Sequence, residues 1–223
     1  MILNISYRFL IFAFVAALLF IIFPGIDLYF TSLFYEGGEF YLKDNLLAML
    51  VYDYGPSVAG VFVLAVLLVY VYMLVKKKVD LFGIKKGCYL FLLLAMLVGP
   101  LITVNLIMKE VSGRARPRNV VQFGGERQFT PAFIISDQCS NNCSFVSGHA
   151  SAGFYFVALS LIFKGRRRRI IFWSSVAAGG FIGLVRVVQG GHFFSDVVFS
   201  FVFVYLASLL LHYFMFKDEY PSA

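Results

Sequence analysis

Three short polar stretches of the 223-residue chain carry residue types suited to handling a phosphoryl group. Arg116 and Pro117 follow Lys109 in the spacing Lys109-x6-Arg116-Pro117. Ser147, Gly148 and His149 are contiguous, and Arg186, His192 and Asp196 stand as Arg186-x5-His192-x3-Asp196. Lys109, Arg116 and Arg186 would form a cationic cage for phosphoryl oxygens. Ser147 and Gly148 would present backbone N–H groups at a helix N-terminus, where the dipole favours an anion. Gly148 also permits close backbone approach. His192 and Asp196, at i and i+4, would share one helical face. Such a carboxylate fixes the imidazole tautomer and stabilises the imidazolium, so His192 is the candidate nucleophile. His149 is then the candidate general acid for the leaving oxygen. Catalysis would rest on electrostatics around the transferring group.

Taken singly, each residue has a plainer reading. A histidine near an interface is usually structural, and a His–Asp pair at i,i+4 is often a local helix contact. Arg186 would snorkel to headgroups, and Arg114, Arg116 and Arg118 would bind lipid phosphates. Jointly the balance reverses, because Lys109, Arg116, His149, Arg186, His192 and Asp196 all fall at one membrane edge. A zinc site on two His and one Asp is the competing sharp reading. Three cations in the same layer would repel the ion, so no metal and no cofactor is predicted.

The elements that must position these residues are membrane helices. The chain is 61% hydrophobic and only 14% charged, with a mean hydropathy of +0.85, which excludes a soluble domain or a disordered chain. Apolar runs without period-2 alternation predict an all-α bundle of six transmembrane helices, near 9–24, 56–75, 88–108, 145–163, 170–188 and 193–216. No repeat is visible, and residues 1–223 read as one domain. The first run lacks a small-x-small cleavage site and reads as a retained anchor. The net charge is +7, but the basic residues cluster in short loops, so nucleic-acid binding is not expected. Lys76, Lys77, Lys78, Lys85 and Lys86 form one such loop, and Lys164 with Arg166–Arg169 forms another. These predict cytoplasmic loops and cytoplasmic termini. Segments 25–55, 109–144 and 189–192 then face the other side.

The aromatics of 25–55 read as an interfacial belt, with a lipid-substrate rim as the alternative. Gly179 and Gly183 predict a close helix-packing face, and Pro100 a kink. Loop 109–144 is unusually basic for a translocated segment. Its Arg114, Arg118 and Arg127 lie outside the spacings above and are candidates for a second phosphate or headgroup. Cys139 and Cys143, in the same loop, are expected to form a disulfide on the oxidising side. Two free thiols, or metal ligation lacking a second ligand pair, are the alternatives.

The three spacings resemble the signatures of the type 2 phosphatidic acid phosphatase superfamily across about 88–215. Two positions depart: Val146 stands where the second signature usually has Pro, and Val185 where the third usually has Ser. The resemblance implies that His192 is the phosphorylated nucleophile, Asp196 orients it and His149 is the acid. It further implies that Lys109, Arg116, Ser147, Gly148 and Arg186 hold the phosphate, with no metal. Phe129-Thr130-Pro131-Ala132-Phe133, then Cys139-x3-Cys143 running into Ser144–Ser151, resembles the lipid A 4'-phosphatase branch of bacterial inner membranes. Ile26-Asp27-Leu28 and Phe34-Tyr35 fit the same branch. The expectation is a membrane lipid phosphomonoesterase with lipid A as first-ranked substrate and a periplasmic active site. Its partners would be lipid and bilayer, with no obligate protein partner. A phosphatase for undecaprenyl pyrophosphate or phosphatidylglycerol phosphate is the runner-up. A transporter or flippase ranks below, since transporters carry midplane charges and internal repeats.

Overall fold

A computed structural model describes residues 2–217, with side chains from residue 7 onward. The fold is all-α apart from two short hairpins. Four helices are long and apolar enough to cross a membrane: Leu46–Val75, Lys86–Asn119, Gly165–Val188 and Phe194–Phe216. A fifth span results if α1 (Ile2–Ile22) and α2 (Gly25–Ser32), bent by 84°, count as one. The protein is a multi-pass membrane protein. Among the described residues the count is four or five, where the sequence predicted six. The difference lies in 145–163, which folds as two short helices, α6 (Gly148–Phe154) and α7 (Val157–Leu161). Val146, Ala150, Tyr155, Val157 and Ala158 are all buried there. Each helix is too short to count alone, but only the turn at Tyr155 and Phe156 separates them. α6 packs on the π-helical stretch Leu97–Met108 and α7 on α4 (Lys86–Met96), so the pair runs back along the third span from one end to the other.

The second span starts earlier than predicted. The Asn45 side chain accepts from Leu47 N–H at 3.0 Å and opens α3 (Leu46–Val75), which runs through Pro56. Val61, Leu68 and Val75 of α3 are each more than 60% exposed, which marks a face for lipid. In the third span α4 (Lys86–Met96) passes into a π-helical stretch, Leu97–Met108, before α5 (Lys109–Ser112). Pro100 cannot donate a backbone hydrogen bond. The wider turn is stitched by side chains: Thr103 Oγ1 donates to Val98 O and Asn105 Nδ2 to Pro100 O, both at 2.7 Å. The expected kink is thus a change of helical pitch.

α6 packs against α8 (Gly165–Val188) and α9 (Phe194–Phe216). The small-residue face predicted on α8 makes these contacts. A Cβ on Gly179 would overlap the Phe154 ring, and one on Gly183 would overlap Val197. Backbones therefore approach closely where the polar residues emerge. The first hairpin pairs β1 (Tyr35–Glu36) with β2 (Glu39–Phe40), with Tyr35 opposite Phe40. Gly37 and Gly38 make its turn, at φ 62° and 89°, as a two-residue turn of this hand requires. The second hairpin, β3 (Asp80–Leu81) with β4 (Ile84–Lys85), follows the far end of α3.

Candidate active site

His192 lies in the turn between α8 and α9, one residue outside the predicted sixth span and two before the first helical residue, Phe194. It does not share a helical face with Asp196, as its spacing predicted. Asp196 instead folds back as a cap: its Oδ2 accepts Phe193 N–H at 2.8 Å and the Ser144 hydroxyl at 2.5 Å. His192 Nδ1 lies 3.5 Å from that carboxylate oxygen but only 2.8 Å from the Ser144 carbonyl. A carbonyl can only accept, so Nδ1 carries the proton and Nε2 keeps its lone pair. The backbone of Ser144 sets the tautomer, and Asp196 supports the ring from the side. Burial pushes the His192 imidazole down to about 3, with the Asp196 carboxylate opposing. The ring is neutral at ordinary pH, as a nucleophile must be.

The three predicted cage cations converge. Lys109 Nζ donates to Asn142 Oδ1 at 2.9 Å, and Arg116 donates to the Asn142 carbonyl from Nε at 3.2 Å and Nη2 at 2.8 Å. Arg186 Nη1 donates to Gln189 Oε1, and its guanidinium carbon lies 4.5 Å over the Tyr52 ring. Arg186 Nε is buried with no hydrogen-bond partner among the described residues. Among the described residues no ion pair neutralises Lys109, Arg116 or Arg186. Clustered, partly buried cations bonded only to neutral oxygens call for an anion between them. His149 stacks on Tyr52 at 4.7 Å and 11°, so one aromatic ring orders both the candidate acid and a cage arginine. Gly148 is tightly placed: a Cβ there would stand 2.5 Å from Asn105 Oδ1 and 3.1 Å from Lys109 Nζ.

Ser147 differs from expectation. Its N–H donates to the Asp196 carbonyl at 3.2 Å, and its Oγ caps α6 by accepting Ala150 N–H at 3.3 Å. Its amide is therefore not on offer to phosphate. The amides of Gly148 and His149, in the first turn of α6, have no intrahelical acceptor and remain.

Arg114 departs furthest from its predicted role. It is 1% exposed. Nη2 pairs with Asp27 at 2.8 Å, and Nη1 with Asp196 at 2.6 Å and Ser195 Oγ at 2.9 Å. Nε donates to Thr130 O at 2.8 Å, and the Phe193 ring covers the guanidinium at 4.2 Å. Every nitrogen is engaged and the side chain is sealed from solvent, so it does not reach a second phosphate. Asp27 also accepts Ser195 N–H at 2.8 Å and Ser195 Oγ–H at 2.5 Å. Arg118 is exposed and lines a cleft beside Arg186, whereas Arg127 is exposed and does not line it. Cys139 and Cys143 are joined in a disulfide, Cα–Cα 5.6 Å, closing the loop that holds Asn142. No three His, Cys, Asp or Glu side chains among the described residues gather as metal ligands.

Residues 88–220 match the PAP2 superfamily. The chain belongs to that superfamily. It is 37% identical over 219 residues to a lipid A 4'-phosphatase of Francisella tularensis subsp. novicida, covering 95% of this chain and 96% of the relative. A lipid A 4'-phosphatase of Rhizobium leguminosarum is 33% identical, over 84% of this chain and 87% of the relative. A lipid A 1-phosphatase of Rhizobium etli is 34% identical over 56% of this chain and 48% of its own length. No solved structure matches. As a PAP2 enzyme the protein hydrolyses phosphomonoesters.

Several residues of this PAP2 site escaped the sequence reading. Ser144 acts through its carbonyl, which any residue type has. Asn142 is neutral, and its only signal is its place between the two loop cysteines. Tyr52 precedes Gly55 and Pro56, which read as a helix boundary. Asp27 did stand out in the Ile26-Asp27-Leu28 stretch, but nothing in the sequence ties it to Arg114.

Proposed function

We propose that this PAP2 phosphatase removes the 4'-phosphate of lipid A through a phosphohistidine on His192, without a metal. One observation carries the chemistry: a buried neutral imidazole, its Nδ1–H held by the Ser144 carbonyl, belongs to a site whose three cations have no carboxylate partner among the described residues. In the first step Nε2 bonds to phosphorus as the bond from phosphorus to the sugar oxygen breaks. Burial and the neighbouring Arg186, Lys109 and Arg116 hold the His149 imidazole down to about 4. The phosphate dianion brought between them opposes those cations and favours the imidazolium, which delivers a proton to that oxygen. In the second step water attacks phosphorus and gives a proton to His149. The P–N bond breaks with its electron pair returning to Nε2, and inorganic phosphate leaves. Lys109, Arg116 and Arg186 meet the phosphoryl oxygens throughout and stabilise the charge that spreads over them.

The substrate assignment is supported by relatives named as lipid A 4'-phosphatases that align along nearly the whole chain. The orientation is supported by the basic loops at 76–86 and 164–169, which keep that end in the cytoplasm and the site at the periplasmic face of the inner membrane. Both termini then lie in the cytoplasm.

The test is phosphate release by purified protein from bisphosphorylated lipid A, undecaprenyl pyrophosphate, phosphatidate and phosphatidylglycerol phosphate. The expected product of the first is lipid A retaining only its 1-phosphate, by tandem mass spectrometry. Loss of the 1-phosphate, or preference for another lipid, refutes the substrate. Rapid quenching with labelled substrate should leave acid-labile label on the peptide containing His192. Label on a serine, or activity lost to a chelator and restored by zinc, refutes the mechanism.

A further inference from the structure

A cleft of about 500 Å³ opens beside the cage, lined by Tyr35, Phe40, Tyr52 and Phe123 with Lys43, Asp44, Glu39, Arg118, Arg186 and Gln189. That volume is far more than a phosphate needs and lies in the range that takes an organic ligand. Its outer wall is the β1–β2 hairpin, which is firmly seated. The rings of Tyr35, Phe40 and Phe123 pack edge-on or tilted at 5.1–5.7 Å. Phe40 is buried against Gly190, where a Cβ would overlap its ring. The hairpin thus rests on the turn that carries His192. On the opposite wall Arg118 N–H donates to Gly190 O at 3.1 Å. Cleft and catalytic centre share Arg186 and Tyr52, the ring on which His149 stacks.

That shared ring gives the cleft a direction. His149 protonates the leaving oxygen, so it marks the side of the phosphate on which the alcohol departs. The cleft opens next to His149's stacking partner, and the departing alcohol is the lipid headgroup. Aromatic rings beside carboxylates, an amide and cations suit a polyhydroxylated ring. Tyr35 and Tyr52, the two of these rings that are not buried, can cover its C–H face while Glu39, Asp44 and Gln189 meet its hydroxyls. Glu39 holds Lys43 at 2.9 Å, and Gln189 holds Arg186 and the Lys43 and Ala48 carbonyls, so a polar rim is already in place. A sugar ring has the hydroxyls to bridge it, and a glycerol or polyprenyl headgroup does not.

We infer that the cleft between the Tyr35–Phe40 hairpin and Arg118 is a headgroup subsite for the sugar ring that bears the scissile phosphate. This rests on the lipid A reading above and assigns its specificity to residues outside the three phosphate-handling spacings. Glu39, Asp44 and Arg118 are exposed, so Glu39→Gln, Asp44→Asn and Arg118→Ala test the subsite without disturbing the core. Each is assayed on lipid A and on phosphatidate in identical mixed micelles, and on the soluble small ester phenyl phosphate. The expected result, for the triple variant, is a fall of roughly tenfold or more in kcat/KM on lipid A, carried by KM. On the two small-headgroup esters the change should stay within about twofold. If wild-type protein hydrolyses lipid A and the variants lose nothing, or lose equally on all three substrates, the subsite is refuted while the substrate stands. If wild-type protein hydrolyses phosphatidate or phenyl phosphate but not lipid A, the substrate reading fails and the sugar assignment falls with it.

Discussion

Arg114 and Arg116 stand two residues apart in one loop, yet their surroundings are opposite. Arg114 is sealed between Asp27 and Asp196, with a hydroxyl, a carbonyl and an aromatic face completing its shell. Among the described residues Arg116 makes side-chain hydrogen bonds to the Asn142 carbonyl and no ion pair. The first arrangement is a closed ionic layer that ties α2 to α9. The second is an open one, whose charge is balanced only when a dianion arrives. Basic residue type is the same in both; the nearby carboxylates decide between holding the fold and, on the function proposed above, holding the phosphate.

The largest effect should come at the nucleophile. His192→Ala should lower kcat by about 10,000-fold, measured by phosphate release, while the protein still elutes as a folded species in detergent. Next come the two layers, which should separate cleanly. Arg116→Ala and Arg186→Ala should each lower kcat by about 100- to 1000-fold and leave the melting temperature nearly unchanged. Arg114→Ala should instead cost about 3–5 kcal/mol of stability, because it leaves two buried carboxylates facing each other. Asp27→Asn in the same layer should show the same pattern in milder form. Equal melting losses for Arg114→Ala and Arg116→Ala would break the contrast.

A smaller effect concerns pH. His192 titrates at about 3 when folded, against about 6.5 when unfolded. The unfolded chain therefore binds more protons between those values. The stability of the folded form is full above about pH 6.5 and falls as pH drops toward 3, by at most about 1.4 kcal/mol per unit. His149, held at about 4, adds a loss of the same sign, so melting curves from pH 7 to 4 should fall in both proteins but more steeply in wild type than in His192→Gln. The smallest effect concerns the Asn142 loop. Reducing Cys139–Cys143 should lower kcat about threefold through Lys109 and Arg116, with little change in melting because the closed loop is short. Mass spectrometry after thiol alkylation, with and without reductant, checks that both cysteines are bonded beforehand.

The cage was legible because Lys109, Arg116 and Arg186 sit at helix ends with spacings that bring them to one edge. His149 was legible for the same reason. Arg114 was misread because its partner Asp27 is 87 residues away, and sequence spacing reports only local neighbours. The His192–Asp196 spacing pointed to the right pair with the wrong geometry: i,i+4 implies a shared helical face only if both residues are helical. The 145–163 stretch reads as one continuous helix in the sequence but is broken into α6 and α7 at Tyr155 and Phe156, residues whose types do not signal a turn. The outer hairpin was read as an interfacial belt, since aromatic rings suit a lipid surface and a folded hairpin equally.

The 84° bend between α1 and α2 brings Asp27 into contact with Arg114 and Ser195. Residues 88–220 hold every residue of the shared superfamily spacings, but they do not hold this carboxylate. A fragment cut at residue 88 would bury Arg114 beside Asp196 with half of its counter-charge missing and leave the Ser195 amide without its acceptor. The boundary of sequence similarity is therefore not a boundary of self-sufficiency. Grafting the signature-bearing half onto another membrane anchor would require that anchor to supply an acidic side chain at the depth of Asp27, and anchors lacking one should yield a catalytic half that does not assemble.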